Sequence, residues 1–197
     1  NIGGISNLTY WDGKSLIGFD TGPGNCLLDD YIKINTNNFY DKDGLVASRG
    51  SPCNKLIENL LKNPFFDKKP PKSLDRNYFN SNFKTILGAK LSIEDVMSTL
   101  VEFTIESIFN SLKFLPKEIK SVFISGGGYH NKYLYSKLME RFKNKIINNN
   151  LCDIDIDFVE SELIAFIATR SFYKLPITFP TTTCVSRPIT GGKIIVN

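Results

Sequence analysis

The pattern of apolar and polar positions predicts a β-hairpin near the start of the chain. Short segments rich in strand-forming residues run over 2–10 and 15–20. Between them lies Trp11-Asp12-Gly13-Lys14, whose Asp-Gly pair is a strong signal for a tight hairpin turn. We therefore expect two antiparallel strands joined at this turn.

Apolar positions at helical spacing predict five helices farther along the chain. The longest begins after Ser92, which with Asp95 fits a helix-capping pattern, and Pro116 ends it. Its apolar stripe consists of Ile93, Val96, Leu100, Phe103 and Ile108. The other helices are predicted at 26–34, 54–61, 131–142 and 160–173.

Two further apolar runs predict strands that alternate with the helices. Residues 121–125 form a compact apolar run followed by three glycines, as in a buried parallel strand, and 154–159 is a second candidate. Hairpin strands followed by alternating strands and helices favour an α/β fold with a mixed sheet and flanking helices. We see no internal repeat or linker, so residues 1–197 are expected to form a single domain.

Composition and charge argue against several classes of protein. No apolar run approaches the roughly 20 residues that a membrane span needs, and no signal-peptide pattern opens the chain, so a cytoplasmic protein is expected. Four scattered cysteines and a single histidine argue against a disulfide framework or a zinc site. The charges are interleaved, and the densest basic cluster, 68–72, lies in a Pro-rich turn, so no nucleic-acid partner is expected.

Three glycine-rich corners follow or open predicted strands. They are Gly3-Gly4, Gly22-Pro23-Gly24 and Gly126-Gly127-Gly128. Glycine lets the main chain approach a ligand closely, and a glycine turn that feeds a helix offers free amides to phosphate. Neither the Walker pattern nor the dinucleotide-binding pattern is present, which argues against those two folds. Three corners in one small domain favour a phosphate-binding site.

Asp20 lies at the end of a predicted strand, directly before the second glycine corner. A carboxylate there can take a proton from an attacking nucleophile or hold Mg²⁺ through water. It can equally stabilise the turn through a hydrogen bond to its own main chain. The residue types alone leave these alternatives open.

Several short motifs occur in a fixed order along nearly the whole chain. They are NIGGISNLT at 1–9, GFDTGPGN at 18–25, Tyr40-Asp41-x-Asp43-Gly44, Pro70-Pro71-Lys72-Ser73 with Arg76 and Phe79, and Ser125-Gly126-Gly127-Gly128 with Asn131. In these motifs the chain resembles the anhydro-N-acetylmuramic acid kinase family. The resemblance implies a ribonuclease H-like lobe of the actin-like, sugar-kinase and Hsp70 ATPase superfold. It also implies that ATP and Mg²⁺ are used to convert 1,6-anhydro-N-acetylmuramic acid into N-acetylmuramic acid 6-phosphate in peptidoglycan recycling.

The resemblance assigns roles to individual residues. Asp20 matches the catalytic base, which deprotonates the attacking water and faces the sugar, and Glu162 matches an acidic position that contacts sugar or caps a helix. The residues implied to bind ATP or its phosphates are Gly3, Gly4, Gly22, Gly24, Gly126, Gly127, Gly128 and Asn131. No residue is assigned as a metal ligand.

The chain also departs from the family pattern. Leu74 and Asp75 replace the usual Thr-Gly, and Cys184 stands where a glycine often occurs, which matters only if that position needs a positive φ. The N-terminal lobe of the family, with its phosphate hairpin, has no counterpart in the sequence, so we expect a C-terminal lobe that needs this missing lobe as a partner. A homodimer is compatible with the sequence. The alternatives are a non-catalytic remnant and another sugar or acetate kinase of the same superfold.

Overall fold

The computed structural model describes residues 1–147, 155–193 and 195. As predicted, the chain opens with an antiparallel hairpin in which β1 (Ile5–Trp11) pairs with β2 (Leu16–Pro23). At the turn, the Asp12 side chain accepts main-chain N–H groups and Gly13 has a φ of 91°. These two features explain why the turn contains an Asp-Gly pair.

Strand β2 extends farther than predicted and contains a bulge. The Cα partners are Asn7 with Asp20 but Ser6 with Gly22, so Thr21 is an extra residue in β2. The buried Thr21 hydroxyl donates to the main-chain oxygen of Ser6 at 3.1 Å, and the two hydroxyl oxygens lie 3.0 Å apart. Bulges of this kind redirect neighbouring side chains, and this one directly follows Asp20.

The predicted helices are present, and two more occur. Four helices were predicted with both ends, and each lies within one residue of its predicted bounds: α1 (Cys26–Asn35), α2 (Asn54–Leu61), α5 (Lys132–Phe142) and α6 (Val159–Phe172). The longest is α4 (Ile93–Ser111), and Ser92 caps it by accepting the Asp95 N–H. The unpredicted helices are α3 (Asn80–Leu87) and the single turn α7 (Pro180–Thr183).

The core is built around α4, which packs against β2, α1 and α2. An aromatic cluster joins α4 to the segment before α3, because Phe103 of α4 meets Phe66 and Phe79 edge to face at 5.8 and 6.2 Å. Such aromatic pairs contribute roughly 0.5–1.5 kcal/mol each beyond the area that they bury. The cluster therefore fixes the position of residues 64–79, which include the Pro-Pro-Lys-Ser loop.

Two predicted strands differ from the structure. In residues 121–125, only an isolated parallel bridge forms, between Val122 and Ile146. Of the strand predicted at 154–159, residue 154 lies outside the described residues, and the remainder forms turns and the start of α6. The Asp155 side chain accepts the Asp157 N–H at 3.0 Å, a local turn that competes with strand pairing. The described residues thus form a mixed α/β structure with one small antiparallel sheet.

None of the described helices is long and apolar enough to cross a membrane. Of the four cysteines, Cys152 lies outside the described residues, and Cys26, Cys53 and Cys184 are free thiols. No group of three potential metal-ligating side chains occurs within the described ranges.

Candidate active site

The three glycine corners, far apart in sequence, meet through main-chain hydrogen bonds. The N–H groups of Gly24 and Asn25 donate to the carbonyl oxygens of Gly4 and Gly3 at 2.9 and 2.8 Å. On the other side, the Gly128 N–H donates to the Ile2 carbonyl at 2.8 Å. The first corner therefore lies between the second and the third, and main-chain hydrogen bonds join the three predicted phosphate-binding segments. Gly22, Gly24 and Gly128 are buried there, and Gly4 and Gly127 are exposed.

Four of the glycines are required by the protein itself. An added Cβ would overlap the Gly3 carbonyl at Gly24 and the Ile2 side chain at Gly128. At Gly22 it would lie 2.6 Å from the Ser107 hydroxyl of α4, and Gly126 has a φ of 84°. These positions need glycine for close packing or for their main-chain conformation, whatever ligand is bound.

The other glycines have space around them. Gly4 and Gly127 are exposed, and a Cβ there would meet no atom closer than 3.9 and 3.6 Å. At Gly3 the nearest atom, in the Asn1 side chain, would lie at 3.4 Å, an ordinary contact distance. Packing inside the protein does not explain why these positions are glycine. Close approach of a ligand to the main chain stays a prediction for these three positions.

Asp20 is half-buried, and the loop at 72–74 holds it at two points. Its carboxylate Oδ2 accepts the Leu74 N–H at 2.6 Å, and its own N–H donates to the Lys72 carbonyl at 3.0 Å. Burial raises the pKa of Asp20, and the hydrogen bond from Leu74 opposes that rise. A carboxylate with a raised pKa is a better base near neutral pH than an exposed one.

The departures from the family pattern in this loop leave the contact with Asp20 in place. Leu74 reaches Asp20 through its main-chain N–H, which any residue except proline supplies. Asp75 accepts the Asn77 N–H at 2.8 Å in a local turn. Arg76, which is kept, pairs with Asp30 of α1 at 2.6 Å and so ties the loop to the helix after the second glycine corner.

Asn131 is the N-cap of α5, because its side chain accepts the Leu134 N–H at 3.0 Å. Gly44 of the Asp41-x-Asp43-Gly44 motif packs closely against this side chain. The Asp41 carboxylate in turn orders its own loop by accepting the N–H groups of Val46 and Ala47, both at 2.9 Å. These contacts give Asn131 a structural role, and its predicted contact with ATP stays a prediction.

Whereas Asp20 belongs to β2, Glu162 belongs to α6. It is exposed in the first turn of α6 and lines a cavity of about 940 Å³, and Asp20 is not among the lining residues. The opposite wall of this cavity comes from β1 and residues 117–125. Asn7 and Thr21, which neighbour Asp20, line the same cavity, and a sugar contact by Glu162 stays a prediction.

Comparison with known proteins assigns the chain to a family. The family model described as anhydro-N-acetylmuramic acid kinase matches residues 1–197. The chain belongs to this family. Proteins named anhydro-N-acetylmuramic acid kinase from Methylorubrum populi and Zymomonas mobilis are each 40% identical to it, over 98% of its length. The chain spans about half the length of these relatives, 51% and 53%.

Lys72 is a buried residue beside the candidate site that has no predicted role. Its side chain is 5% exposed, and Nζ donates to the Phe65 carbonyl at 3.0 Å. The Pro-Pro-Lys-Ser motif marked Lys72 in the sequence. Its burial was not predictable, because the aromatic residues around it come from three separate segments of the chain.

Proposed function

We propose that the chain carries the base-bearing part of a kinase that acts on 1,6-anhydro-N-acetylmuramic acid with ATP and Mg²⁺. The product is N-acetylmuramic acid 6-phosphate, and the process is peptidoglycan recycling in the cytoplasm. The observation that carries the proposal is the half-buried carboxylate of Asp20, which accepts a hydrogen bond from the Leu74 N–H. Asp20 lies in β2, two residues before the second of the three converging glycine corners. Membership in the anhydro-N-acetylmuramic acid kinase family supplies the substrate.

The chemistry assigns Asp20 the role of general base. Water attacks the anomeric carbon and breaks the anhydro bridge, the proton of the water passes to the Asp20 carboxylate, and the freed oxygen at C6 takes the γ-phosphoryl group. Because Oδ2 is held by the Leu74 N–H, Oδ1 is the oxygen expected to take the proton. A positioned base of this kind contributes about 10²- to 10⁴-fold in rate.

The glycine corners provide the proposed nucleotide side of the site. The exposed main chain at Gly4 and Gly127 is where the phosphates of ATP are expected to approach, since side chains do not block it. Mg²⁺, when bound, neutralises charge on the phosphates. Because the described residues offer no cluster of metal ligands, the phosphates and water are expected to supply most of its ligands.

We further propose that residues 1–197 form the C-terminal lobe of an actin-like kinase and need the other lobe for turnover. In support, the chain spans about half the length of its relatives. Phosphoryl transfer depends mainly on positioning and charge stabilisation, which two closing lobes supply together. The chain alone is expected to bind ATP weakly and to turn over negligibly.

The decisive test measures ATP-dependent phosphorylation of the anhydro sugar by the chain alone and together with the upstream half of the Methylorubrum populi relative. Product formation only in the mixture supports the proposal. No phosphorylation of the anhydro sugar in any combination, with both parts folded, favours a non-catalytic remnant. An intact phosphate hairpin encoded in frame upstream of Asn1 would argue against that remnant.

In the active combination, Asp20→Asn is expected to lower kcat by at least 10²-fold and to leave ATP affinity nearly unchanged, because the amide cannot accept the proton. Steady-state kinetics and ATP titration provide the measurement. Asp67→Asn, which changes an exposed carboxylate, is the matched control. Activity of Asp20→Asn within a few-fold of the unaltered protein would exclude Asp20 as the base.

A further inference from the structure

We propose that Lys72 is a positioning residue for Asp20. Its buried ammonium group anchors the loop whose main chain holds the Asp20 carboxylate. The inference rests on the proposed role of Asp20 as the base, and it adds a residue that the mechanism does not otherwise use.

The Lys72 side chain lies among aromatic rings inside the protein. Its Nζ lies 4.2 Å from the ring centroid of Phe65, 4.9 Å from that of Phe114 and 5.9 Å from that of Phe19. It also donates to the Phe65 carbonyl. Among the described residues no carboxylate forms an ion pair with it. The ammonium group is therefore held by rings and one carbonyl oxygen.

Packing alone does not account for a lysine at this position. Taking an ammonium group out of water is costly, and here burial lowers the pKa of Lys72 to about 8. A methionine would fill a similar volume without that cost. The lysine adds directional contacts that a methionine lacks. A hydrogen bond and cation–π contacts hold the end of the side chain in one position.

That fixed point acts on Asp20 through the main chain. The Lys72 carbonyl accepts the Asp20 N–H, and two residues later the Leu74 N–H donates to the Asp20 carboxylate. Both contacts lie within two residues of the anchored side chain. A shift of Lys72 therefore moves the donor that sets both the orientation and the pKa of the Asp20 carboxyl.

The test compares Lys72→Met with Lys113→Met in residues 1–197, and for the kinetic readout in the active combination with the upstream half of the Methylorubrum populi relative. Lys113 is the matched control, because it is exposed and its Nζ lies 5.1 Å from the Phe114 ring, but none of its hydrogen bonds reaches the 72–74 loop. The first readout is the titration of the Asp20 carboxyl by NMR with ¹³C-labelled aspartate. Lys72→Met is expected to raise the pKa of Asp20, because the Leu74 hydrogen bond weakens, and Lys113→Met is expected to leave it unchanged.

The second readout is kinetic. Lys72→Met is expected to lower kcat by about 10- to 100-fold with the KM for ATP unchanged, as for a misplaced base. An unchanged Asp20 titration in folded Lys72→Met would overturn the proposal. Because the titration does not depend on turnover, it distinguishes this failure from a failure of the proposed function, which the Asp20→Asn kinetics reveal.

A measurement on the unaltered protein covers the case in which Lys72→Met does not fold. If the loop holds Asp20 as proposed, the amide resonance of Leu74 must shift with the same midpoint as the Asp20 carboxyl. Lys72→Gln, which keeps a donor but is shorter, must then weaken this coupling. An amide resonance that ignores the titration, or full coupling in Lys72→Gln, contradicts the proposal.

Discussion

Cys184 occupies a main-chain conformation that suits glycine. It follows α7 with a φ of 63° and a ψ of 18°, in the left-handed region, and its N–H donates to the Pro180 carbonyl. The anhydro-N-acetylmuramic acid kinase pattern often has glycine here. The position has a positive φ, which glycine adopts without the strain that a Cβ adds, so we expect the cysteine to cost stability.

Cys184→Gly is therefore expected to raise the free energy of unfolding by about 0.5–1 kcal/mol, because relief of the left-handed strain exceeds the extra chain entropy of glycine. Cys184→Ala is the control, since it removes the thiol but keeps the strained Cβ. Urea denaturation of both variants measures the difference. Equal stabilisation by alanine and glycine would show that the thiol, rather than the main-chain conformation, is responsible.

The two kinds of glycine in the converging corners predict opposite results for the same substitution. Gly24→Ala places a Cβ onto the Gly3 carbonyl and is expected to destabilise the fold by several kcal/mol. Gly127→Ala has room, so the thermal midpoint is expected to stay within a few degrees while ATP affinity falls. Thermal unfolding and ATP titration separate the two effects. Unchanged ATP affinity in Gly127→Ala would remove this corner from the nucleotide site.

At the scale of elements, the start of α5 combines a structural and a predicted ligand role in Asn131. Loss of an N-cap costs about 1 kcal/mol, so Asn131→Ala is expected to lower the free energy of unfolding by that amount. Asn131→Ser keeps a capping oxygen and is expected to fold normally. If the serine variant also binds ATP normally, Asn131 acts only as a cap. Weaker ATP binding by the stable serine variant supports a direct contact.

The helices followed from the sequence because each depends on local signals. The apolar stripe and Ser92 cap of α4, for example, lie within the helix that they specify. The helix α3 was not predicted because its apolar pattern is short. The aromatic cluster beside it includes Phe103 of α4, a residue from a different element. A strand at 121–125 would need pairing partners from distant parts of the chain. The apolar pattern of the segment does not show whether such partners are present.

The candidate site was predictable in part. The motifs identified the glycine corners and Asp20, because glycine and aspartate are recognisable in the sequence as residue types suited to binding phosphate and to taking a proton. The main-chain contact from Leu74 was not predictable, because every residue except proline has a main-chain N–H and the residue type does not show where it points. The position of Glu162 relative to Asp20 is a tertiary relation between α6 and β2, which no local pattern encodes.

At the scale of the whole molecule, most residues of α6 are exposed and none of those described is buried. Its large exposed apolar residues, with those directly beside it, are Phe158, Leu163, Ile164, Phe166, Phe172, Tyr173 and Leu175. A large exposed apolar patch marks an interaction site or a tendency to aggregate. We expect the proposed second lobe to cover it.

The chain alone is therefore expected to bind a hydrophobic dye and to self-associate, and addition of the upstream half of a relative should suppress both. The double variant Ile164→Ser and Phe172→Ser should reduce dye binding at unchanged stability and weaken recovery of activity in the mixture. Phe39→Ser, at an equally exposed position outside α6, is the control. Full recovery of activity by the double variant would place the second lobe on another surface.

The hydrogen bond from Gly128 to Ile2 also has a consequence for the order of events during synthesis. The third corner can join the first only after residue 128 has left the ribosome, so the surface on which the corners meet closes after most of the core can form. Contacts this distant in sequence form slowly, although their extra entropic cost grows only with the logarithm of loop length. A nucleotide that binds only the closed surface would then stabilise the finished fold by mass action without assisting the earlier folding intermediates.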